Sequence, residues 1–272
     1  QEALTQPVFE SPEPLPDGLL ERVHTKDVVH NLSSPRAVAA AVELWPLAWL
    51  PTALVKHMVV TPQLKAAGGT ICAMCAALGG QWAANLSGGF HHARPGLSHG
   101  FCLVNDVALA IEALRIEGHD PKVLVLDLDL HQGDGNSAAF AADSRVFTAS
   151  LHEAAAFPHP RVPGDLDVEL ASGLGDAAYL SALEQALDTI KARFTPDILV
   201  YVAGSDPYQG DPLGDLGLSR QAMVARDIRV ARFALEHGSS LVALPAGGYS
   251  AASAQITAAG FAAIAKLAPN TA

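Results

Sequence analysis

The stretch of residues 123–135 constrains the fold of this chain more than any other part. It reads Val-Leu-Val-Leu-Asp-Leu-Asp-Leu-His-Gln-Gly-Asp-Gly, so an apolar, strand-like run ends in charged residues. The first half is typical of a central parallel strand that helices cover on both faces. Asp127, Asp129 and His131 stand at a spacing of two, so on a strand their side chains point the same way near its carboxyl end. Open α/β sheets bind their ligands at that end.

Two carboxylates beside an imidazole in such a run predict a bound cation. A buried ionised carboxylate without a partner is strongly destabilising, and a divalent metal is the simplest compensation. Mixed Asp and His ligands suit zinc, or a similar first-row metal, better than calcium or magnesium. The competing interpretation is a solvated strand end whose aspartates only cap the next helix. It is the weaker one, because Gly-Asp-Gly follows directly and unpaired buried aspartate is rare.

Length and composition indicate one globular domain. The chain has 272 residues, half of them apolar and 17% charged, which is enough to bury one large core. We therefore expect a single domain over residues 1–272, of which the proline-rich residues 1–18 are extended or loosely attached. The formal net charge of −11, without a Lys/Arg cluster, argues against direct binding of nucleic acid.

Cysteine content and hydropathy favour a cytoplasmic location. Three cysteines are too few for a disulfide scaffold and fit a reducing compartment. Cys72 and Cys75 form a lone Cys-x-x-Cys in an alanine-rich helical run, which favours buried packing over redox or zinc chemistry. The longest apolar stretch, about residues 37–55, is interrupted by Glu43 and two prolines, so we expect neither a membrane span nor a signal peptide.

Predicted strands and helices alternate along the chain. Thr61 is expected to begin a helix that ends at Gly79, and Asn105 or Asp106 is expected to cap the next helix. This alternation predicts an α/β fold with three layers, in which helices cover both faces of a mostly parallel sheet. Besides the strand that begins at residue 123, the predicted strands are residues 82–86, 145–151, 197–203 and 240–245.

Polar residues that a packed core does not explain follow four of these strands. Taken singly, each has a plain structural explanation; Asp211, for example, fits a turn residue before Pro212. Because the carboxyl ends of parallel strands meet at one edge of a sheet, together they predict an active site. The residues are His91, His92, Asp129, His131, Asp134, Asp206, Asp211 and Tyr249.

The ordered motifs resemble those of the zinc-dependent histone deacetylase family. They are Gly-Gly-Phe-His-His-Ala (88–93), Gly-Phe-Cys-Leu-Val-Asn-Asp (100–106), Asp-Leu-Asp-Leu-His-Gln-Gly-Asp-Gly (127–135), Gly-Ser-Asp (204–206) with Gly-Asp-Pro-Leu-Gly (210–214), and Gly-Gly-Tyr (247–249). The Asp-x-Asp-x-His-Gln-Gly form is most similar to the class IV branch and its bacterial relatives. The resemblance implies the arginase/deacetylase fold. Because it starts near His24, the family's first strand is expected to be missing.

The resemblance also implies two metal sites. One zinc ion per chain would be held by three protein ligands, with an open position for water and substrate. The implied zinc ligands are Asp129, His131 and Asp211. A structural K⁺ or Na⁺ is implied near Asp127, Asp129, His131 and Ser150.

Catalytic roles follow from the same resemblance. His91 and His92 match the tandem acid/base histidines, with Asp127 and Asp134 as their carboxylate partners, and Tyr249 matches the oxyanion donor. His92 is the expected principal acid/base, and His91 the more electrostatic partner. The implied substrate channel comprises Gly100, Phe101, Phe157 and Gly248.

Two positions depart from the family's pattern. Gln132 stands where many members have a second histidine, which removes no ligand. His99 has no assigned role and is expected to be a rim residue.

The implied reaction is amide hydrolysis by metal-activated water. It would remove acetyl or longer acyl groups from lysine side chains of proteins or peptides. Three alternatives stay open at this point. The first is a small-molecule amidohydrolase such as an acetylpolyamine deacetylase, and the second is a dinuclear arginase-like hydrolase. The third is a binding module that has lost catalysis and only grips acylated lysine.

Overall fold

The computed structural model describes residues 9–269 of the chain. Residues 9–16 form neither helix nor strand, as expected for an extended N-terminal segment. Part of that segment is nevertheless packed, since a Cβ at Gly68 would lie 2.6 Å from the carbonyl oxygen of Glu13, and Leu15 contacts a buried cluster. The expectation for residues 1–8 lies outside the described residues.

Six parallel strands form one sheet in the order β1-β6-β5-β2-β3-β4. The strands are β1 (Ala83–Ala84), β2 (Val123–Asp127), β3 (Val146–Glu153), β4 (Leu166–Leu170), β5 (Ile198–Val202) and β6 (Ser240–Leu244). The four central strands are buried along their whole length, as runs of Val, Leu and Ile predict. Their register aligns Asp127 at the end of β2 with Val202 at the end of β5, and Val202 with Leu244 at the end of β6, so the carboxyl ends of these three strands meet at one level. Asp127 also lies beside Ser150 of β3, which continues to Glu153.

Ten α-helices lie within the described residues. They are α1 (Leu19–Val23), α2 (Lys26–Asn31), α3 (Pro35–Ala41), α4 (Thr52–Val55), α5 (Thr61–Leu78), α6 (Asp106–Ile116), α7 (Asp134–Phe140), α8 (Asp176–Arg193), α9 (Arg220–His237) and α10 (Ser253–Ala265). A 3-10 helix (Trp45–Trp49) precedes α4, and a π-helical turn (Lys56–Val60) joins α4 to α5.

Side-chain caps explain several helix starts. The Asn105 side chain accepts a hydrogen bond from the Ala108 N–H and begins α6, which settles the choice between Asn105 and Asp106. The predicted bounds of the helix from Thr61 to Gly79 agree with α5, but the expectation that Thr61 caps its start is wrong, because Thr61 has helical backbone angles. The π-helical turn leads straight into α5, and the Thr61 N–H donates to the carbonyl of Lys56 inside a continuous helical path.

Apolar side chains cover both faces of the sheet. One buried cluster joins alternate residues of the central strands to α8, α9 and α10, and a second joins the other faces of those strands to α5 and α6. The predicted three-layer α/β/α fold with a parallel sheet is therefore confirmed.

Edge strands and the N-terminal helices were harder to predict. β4 is an edge strand, buried only at Leu170, and it follows a loop with three prolines. Residues 19–60 contain several short helices and no strand, so the strand–helix alternation that guided the prediction elsewhere does not apply to them. None of the helices within residues 9–269 has the length and apolar character needed to span a bilayer.

Candidate active site

The carboxyl end of β2 brings Asp129 and His131 against Asp206, which follows β5 by four residues. Nδ1 of His131 lies 3.0 Å from Oδ1 of Asp129 and 3.2 Å from Oδ2 of Asp206. All three side chains are buried. Among residues 9–269, these form the one group of at least three metal-ligand side chains whose donor atoms lie within 4.8 Å of one another. We call Asp129, His131 and Asp206 the metal cluster.

Two glycines make room for the carboxylates of the metal cluster. A Cβ on Gly204 would collide with Oδ2 of Asp129, and one on Gly247 would lie 2.5 Å from Oδ2 of Asp206. The N–H of Gly247 instead donates to Oδ2 of Asp129 at 2.8 Å. The close backbone approach therefore holds the carboxylates around one point.

Charge in the metal cluster favours a cation. Burial and the neighbouring Asp129 carboxylate raise the pKa of Asp206 to about 7. Burial opposes charge on His131, but hydrogen bonds to Asp129 and Asp206 outweigh it and raise the pKa of His131 to about 10. Both shifts reflect two buried carboxylates that attract positive charge. Two carboxylates and one imidazole are a donor set that zinc accepts, with a coordination position left open.

The structure brings Asp206, and not the expected Asp211, beside Asp129 and His131. Asp211 lies outside the metal cluster, because its Oδ2 accepts hydrogen bonds from the backbone N–H groups of Tyr249 (2.7 Å) and Ser250 (3.0 Å). Its Oδ1 accepts from the N–H of Leu213. Asp206 takes the position beside His131, since it is the nearer of the two acids to the end of β5. Asp211 instead holds the loop that carries Tyr249.

Two adjacent histidines lie beside the metal cluster. Nδ1 of His91 lies 2.8 Å from Oδ2 of Asp127, and Nδ1 of His92 lies 2.6 Å from Oδ1 of Asp134. Nε2 of His91 is 3.7 Å from Oδ1 of Asp129. The two imidazole rings are 4.0 Å apart, and all four side chains of these two pairs are buried. We call His91 and His92 the histidine pair.

The loop that carries the histidine pair is fixed by Asp106, which sequence reasoning missed. Its carboxylate accepts hydrogen bonds from the N–H groups of Gly89 (2.9 Å) and Phe90 (2.7 Å) and from the Thr70 hydroxyl (2.6 Å). The sequence did contain a hint of this role, because Asn105 and Asp106 are adjacent candidates for the cap of one helix and only one of them is needed there. Asn105 serves as the cap, which frees Asp106 to bind this loop.

The two histidines hold protons differently. At His91 burial disfavours the charged ring, but the charges of Asp127 and Asp129 outweigh it and raise the pKa to about 9. At His92 burial and the charge of His91 lower the pKa to about 3, against the attraction of Asp134. These opposite shifts favour the proton on His91 over His92. A neutral imidazole backed by a carboxylate can accept a proton.

Asp134 also binds His99, which the sequence placed only at the rim. Nε2 of His99 lies 2.9 Å from Oδ2 of Asp134, and the Arg94 side chain donates to the same oxygen. Burial opposes ionisation of Asp134, but its hydrogen bonds with His92 and His99 hold the pKa of this carboxyl far below its ordinary value. Asp134 therefore stays a carboxylate that can orient the His92 ring.

A cavity of about 610 Å³ opens onto the histidine pair. Gly100, Phe101, Gly248 and Tyr249 line it, and Phe157 does not, although its ring packs edge-on 4.9 Å from that of His92. Phe101 has a positive φ of 66°, a conformation that costs energy for a bulky side chain. The Phe101 N–H donates to the carbonyl of Ala41 at 3.0 Å, and Nε2 of Gln63 donates to the Phe101 carbonyl at 2.9 Å, which holds the residue there.

Tyr249 lies at the mouth of this cavity. It is 41% exposed, and its ring centroid is 5.8 Å from that of Phe101. Burial of its hydroxyl and the charge of Asp129 raise the pKa of Tyr249 above its ordinary value. The phenol therefore keeps its proton at neutral pH and can donate a hydrogen bond.

Similarity to known proteins agrees with this geometry. The histone deacetylase domain model matches residues 1–265. The chain belongs to the histone deacetylase family. It is 36% identical over 239 residues to histone deacetylase 2 of Arabidopsis thaliana, an alignment that covers 87% of this chain but 62% of that protein.

Solved structures support the same fold. An HDAC homolog from Aquifex aeolicus superimposes with a TM-score of 0.73 at 28% identity, covering 94% of this chain and 70% of that one. Acetylpolyamine aminohydrolase from Burkholderia pseudomallei gives a TM-score of 0.75 at 24% identity, over 94% of this chain and 85% of that one. The predicted arginase/deacetylase fold is thus confirmed.

Within this histone deacetylase domain, Gln132 holds a loop. Its Nε2 donates to the carbonyl of Val162 and to Oδ1 of Asp167, both at 2.9 Å, and its Oε1 accepts from the N–H of Val162. The glutamine therefore ties the end of β2 to the segment after Phe157.

The K⁺ or Na⁺ site stays a prediction. The strand register sets Ser150 beside Asp127, and the Ser150 hydroxyl lies 2.9 Å from Nδ1 of His152.

Proposed function

We propose that this chain is a zinc-dependent deacylase that hydrolyses acylated lysine side chains of proteins or peptides. The observation that carries the proposal is the contact between the metal cluster and a histidine pair whose members each have a carboxylate partner. Three protein ligands are what a catalytic zinc needs, and we propose one ion per chain. When bound, zinc would supply a Lewis acid that polarises water and the acyl carbonyl.

The chain's own residues would move the protons. His92, neutral and backed by Asp134, accepts a proton from the attacking water. His91, the histidine of the pair on which a proton is favoured, would stabilise the negative charge that develops on the acyl oxygen. The Tyr249 hydroxyl donates a hydrogen bond to the same oxygen. When the C–N bond breaks, His92 returns its proton to the departing amine nitrogen.

The lining of the cavity suits an acyl chain, acetyl or longer. Besides the histidine pair, the Gly88-Gly89 loop and Thr257, Ala258 and Phe261 of α10 line it. Its volume of about 610 Å³ would hold the acyl group together with the apolar part of the lysine side chain. The acidic chain, with a net charge of −11, suits a cationic amine product.

Finer assignments belong to the same proposal. The Asp-x-Asp-x-His-Gln-Gly motif supports a class IV-like member. We further propose a structural K⁺ or Na⁺ beside the strand ends, a single catalytic domain and a cytoplasmic location.

A substrate panel tests the proposal. The purified chain would be assayed with lysine peptides that carry acetyl to long-chain acyl groups, and with acetylpolyamines, each with and without a chelator. We expect chelator-sensitive release of acyl groups from the peptides, restored by zinc. Faster turnover of acetylpolyamine would reassign the substrate, and two metals per chain would favour an arginase-like site. If the zinc-loaded chain binds acylated peptides but does not hydrolyse them, the result would favour the alternative of a binding module without catalysis.

A further inference from the structure

A buried ion pair lies beneath the two loops that carry the metal cluster. Arg226 and Asp227, on α9, are 1% and 2% exposed. Charged side chains are rarely buried so completely, because taking them out of water is costly. In the sequence they gave no signal, since charges in the middle of a helix are typical of a solvated face.

The guanidinium group of Arg226 binds backbone on both loops. Its Nη1 donates to the carbonyl of Leu128 at 3.1 Å and to the carbonyl of Gly204 at 2.7 Å. Leu128 directly precedes Asp129, and Gly204 lies two residues before Asp206. One nitrogen therefore links the two chain segments that supply the carboxylates of the metal cluster.

This contact lies where the sheet ends. The pairing of β2 with β5 runs to Asp127 and Val202, and the Leu128 N–H still donates to the carbonyl of Val202 at 3.0 Å. After that bond the Arg226 side chain spans the two segments. A guanidinium is planar and presents its donors in a fixed fork, so it can set a distance between two acceptors.

Asp227 neutralises the guanidinium charge. Its Oδ1 lies 2.9 Å from both Nε and Nη2 of Arg226, and it also accepts a hydrogen bond from the Tyr201 hydroxyl. Gly260 of α10 leaves space for the other carboxylate oxygen, which a Cβ at that position would strike. Because the pair is neutral overall, its effect on the metal cluster is geometric.

We propose that Arg226 is a positioning residue for the metal cluster. It fixes the separation between the loops of Asp129 and Asp206, and through it the affinity and geometry of the bound metal. This inference rests on the proposed metal site.

The test uses Co²⁺, whose visible absorption reports ligand geometry. The chelator-treated full chain would be titrated with Co²⁺ while the dissociation constant, the spectrum and the unfolding temperature are recorded. The first variant is Arg226→Met with Asp227→Leu, which removes the ion pair without leaving a single buried charge. The second is Arg226→Lys, which keeps the charge and loses the fork. The matched control is Arg229→Met, one turn along α9, where Arg229 pairs with half-exposed Glu184 at the surface.

We expect the double variant to fold and to bind Co²⁺ about 10- to 100-fold more weakly, the range seen when a partner that orients a metal ligand is lost. The visible spectrum of its cobalt complex should also differ from the parent's. The cobalt affinity of Arg226→Lys should lie between those of the double variant and the parent. Arg229→Met should match the parent in both affinity and spectrum.

Two results would overturn this inference alone: a folded double variant with the parent's cobalt affinity and spectrum, or failure of both Arg226 variants to fold while Arg229→Met folds. Failure of the parent chain to bind Co²⁺ would instead overturn the proposed function, and this inference with it.

Discussion

The metal cluster and the histidine pair are built from the same kinds of side chain, yet they balance charge differently. In the metal cluster two buried carboxylates share one imidazole. In the histidine pair each imidazole has its own carboxylate, and Asp134 has Arg94 and His99 as further donors. The excess of carboxylate marks the place for a cation, whereas the balanced pairs are suited to holding and moving protons.

The strongest test of this division is at His92. In His92→Ala we expect kcat to fall about 10²- to 10⁴-fold, because the proton acceptor is lost. Zinc affinity should stay close to that of the parent, because His92 belongs to the histidine pair. Single-turnover rates and a chelator competition would measure the two effects. A variant that loses zinc as well as turnover would show that the two regions are not separable.

A smaller loss of turnover is expected when Tyr249 is substituted. Tyr249→Phe removes only a hydrogen-bond donor that acts in the transition state, so kcat should fall on the order of 10²-fold. KM and metal content should be nearly unchanged, which steady-state kinetics and metal analysis would check. Turnover as fast as the parent's would remove Tyr249 from the mechanism.

Metal binding should depend on pH through the metal cluster. A metal must displace the proton of His131, whose pKa is raised to about 10, and below about pH 7 also that of Asp206. Apparent zinc affinity should therefore fall about tenfold per pH unit between these two pKa values as pH decreases, and more steeply below both. Competition with a chelator whose own pH dependence is known measures how the apparent zinc affinity changes with pH. Affinity that does not change with pH would contradict the charge balance.

The smallest effect is expected at Asp211. Asp211→Asn keeps an acceptor oxygen for the Tyr249 N–H, so we expect turnover to fall less than about tenfold and the metal content to be unchanged. Steady-state kinetics would show it, with Tyr249→Phe as the reference for loss of the hydroxyl. A collapse of metal content in Asp211→Asn would restore Asp211 as a ligand.

Sequence patterns predicted those features that depend on local spacing. The Asp-x-Asp-x-His run located β2 and two members of the metal cluster, and the histidine partners Asp127 and Asp134 lie where they were expected. The choice between Asp206 and Asp211 could not be made from spacing, because both follow β5 and only the folded loop decides which one turns inward.

Residues that act through backbone contacts were not predictable either. Asp106 was one of two candidates for a helix cap, and Arg226 had the pattern of a surface charge. Their partners are carbonyl and N–H groups far away in the chain, which leave no trace in the spacing of side chains. The predicted strand over residues 82–86 is only two residues long in β1, and β4 was not predicted, since few apolar residues define these strands.

The most direct measurement is the metal content of the purified chain beside two alanine variants of the loop after β5. We predict about one zinc per parent chain, a similar content in Asp211→Ala, and little or none in Asp206→Ala, because removing one of three ligands opens the site. All three proteins should show the same secondary structure by circular dichroism. Zinc retained by Asp206→Ala and lost by Asp211→Ala would contradict the assignment of the metal cluster.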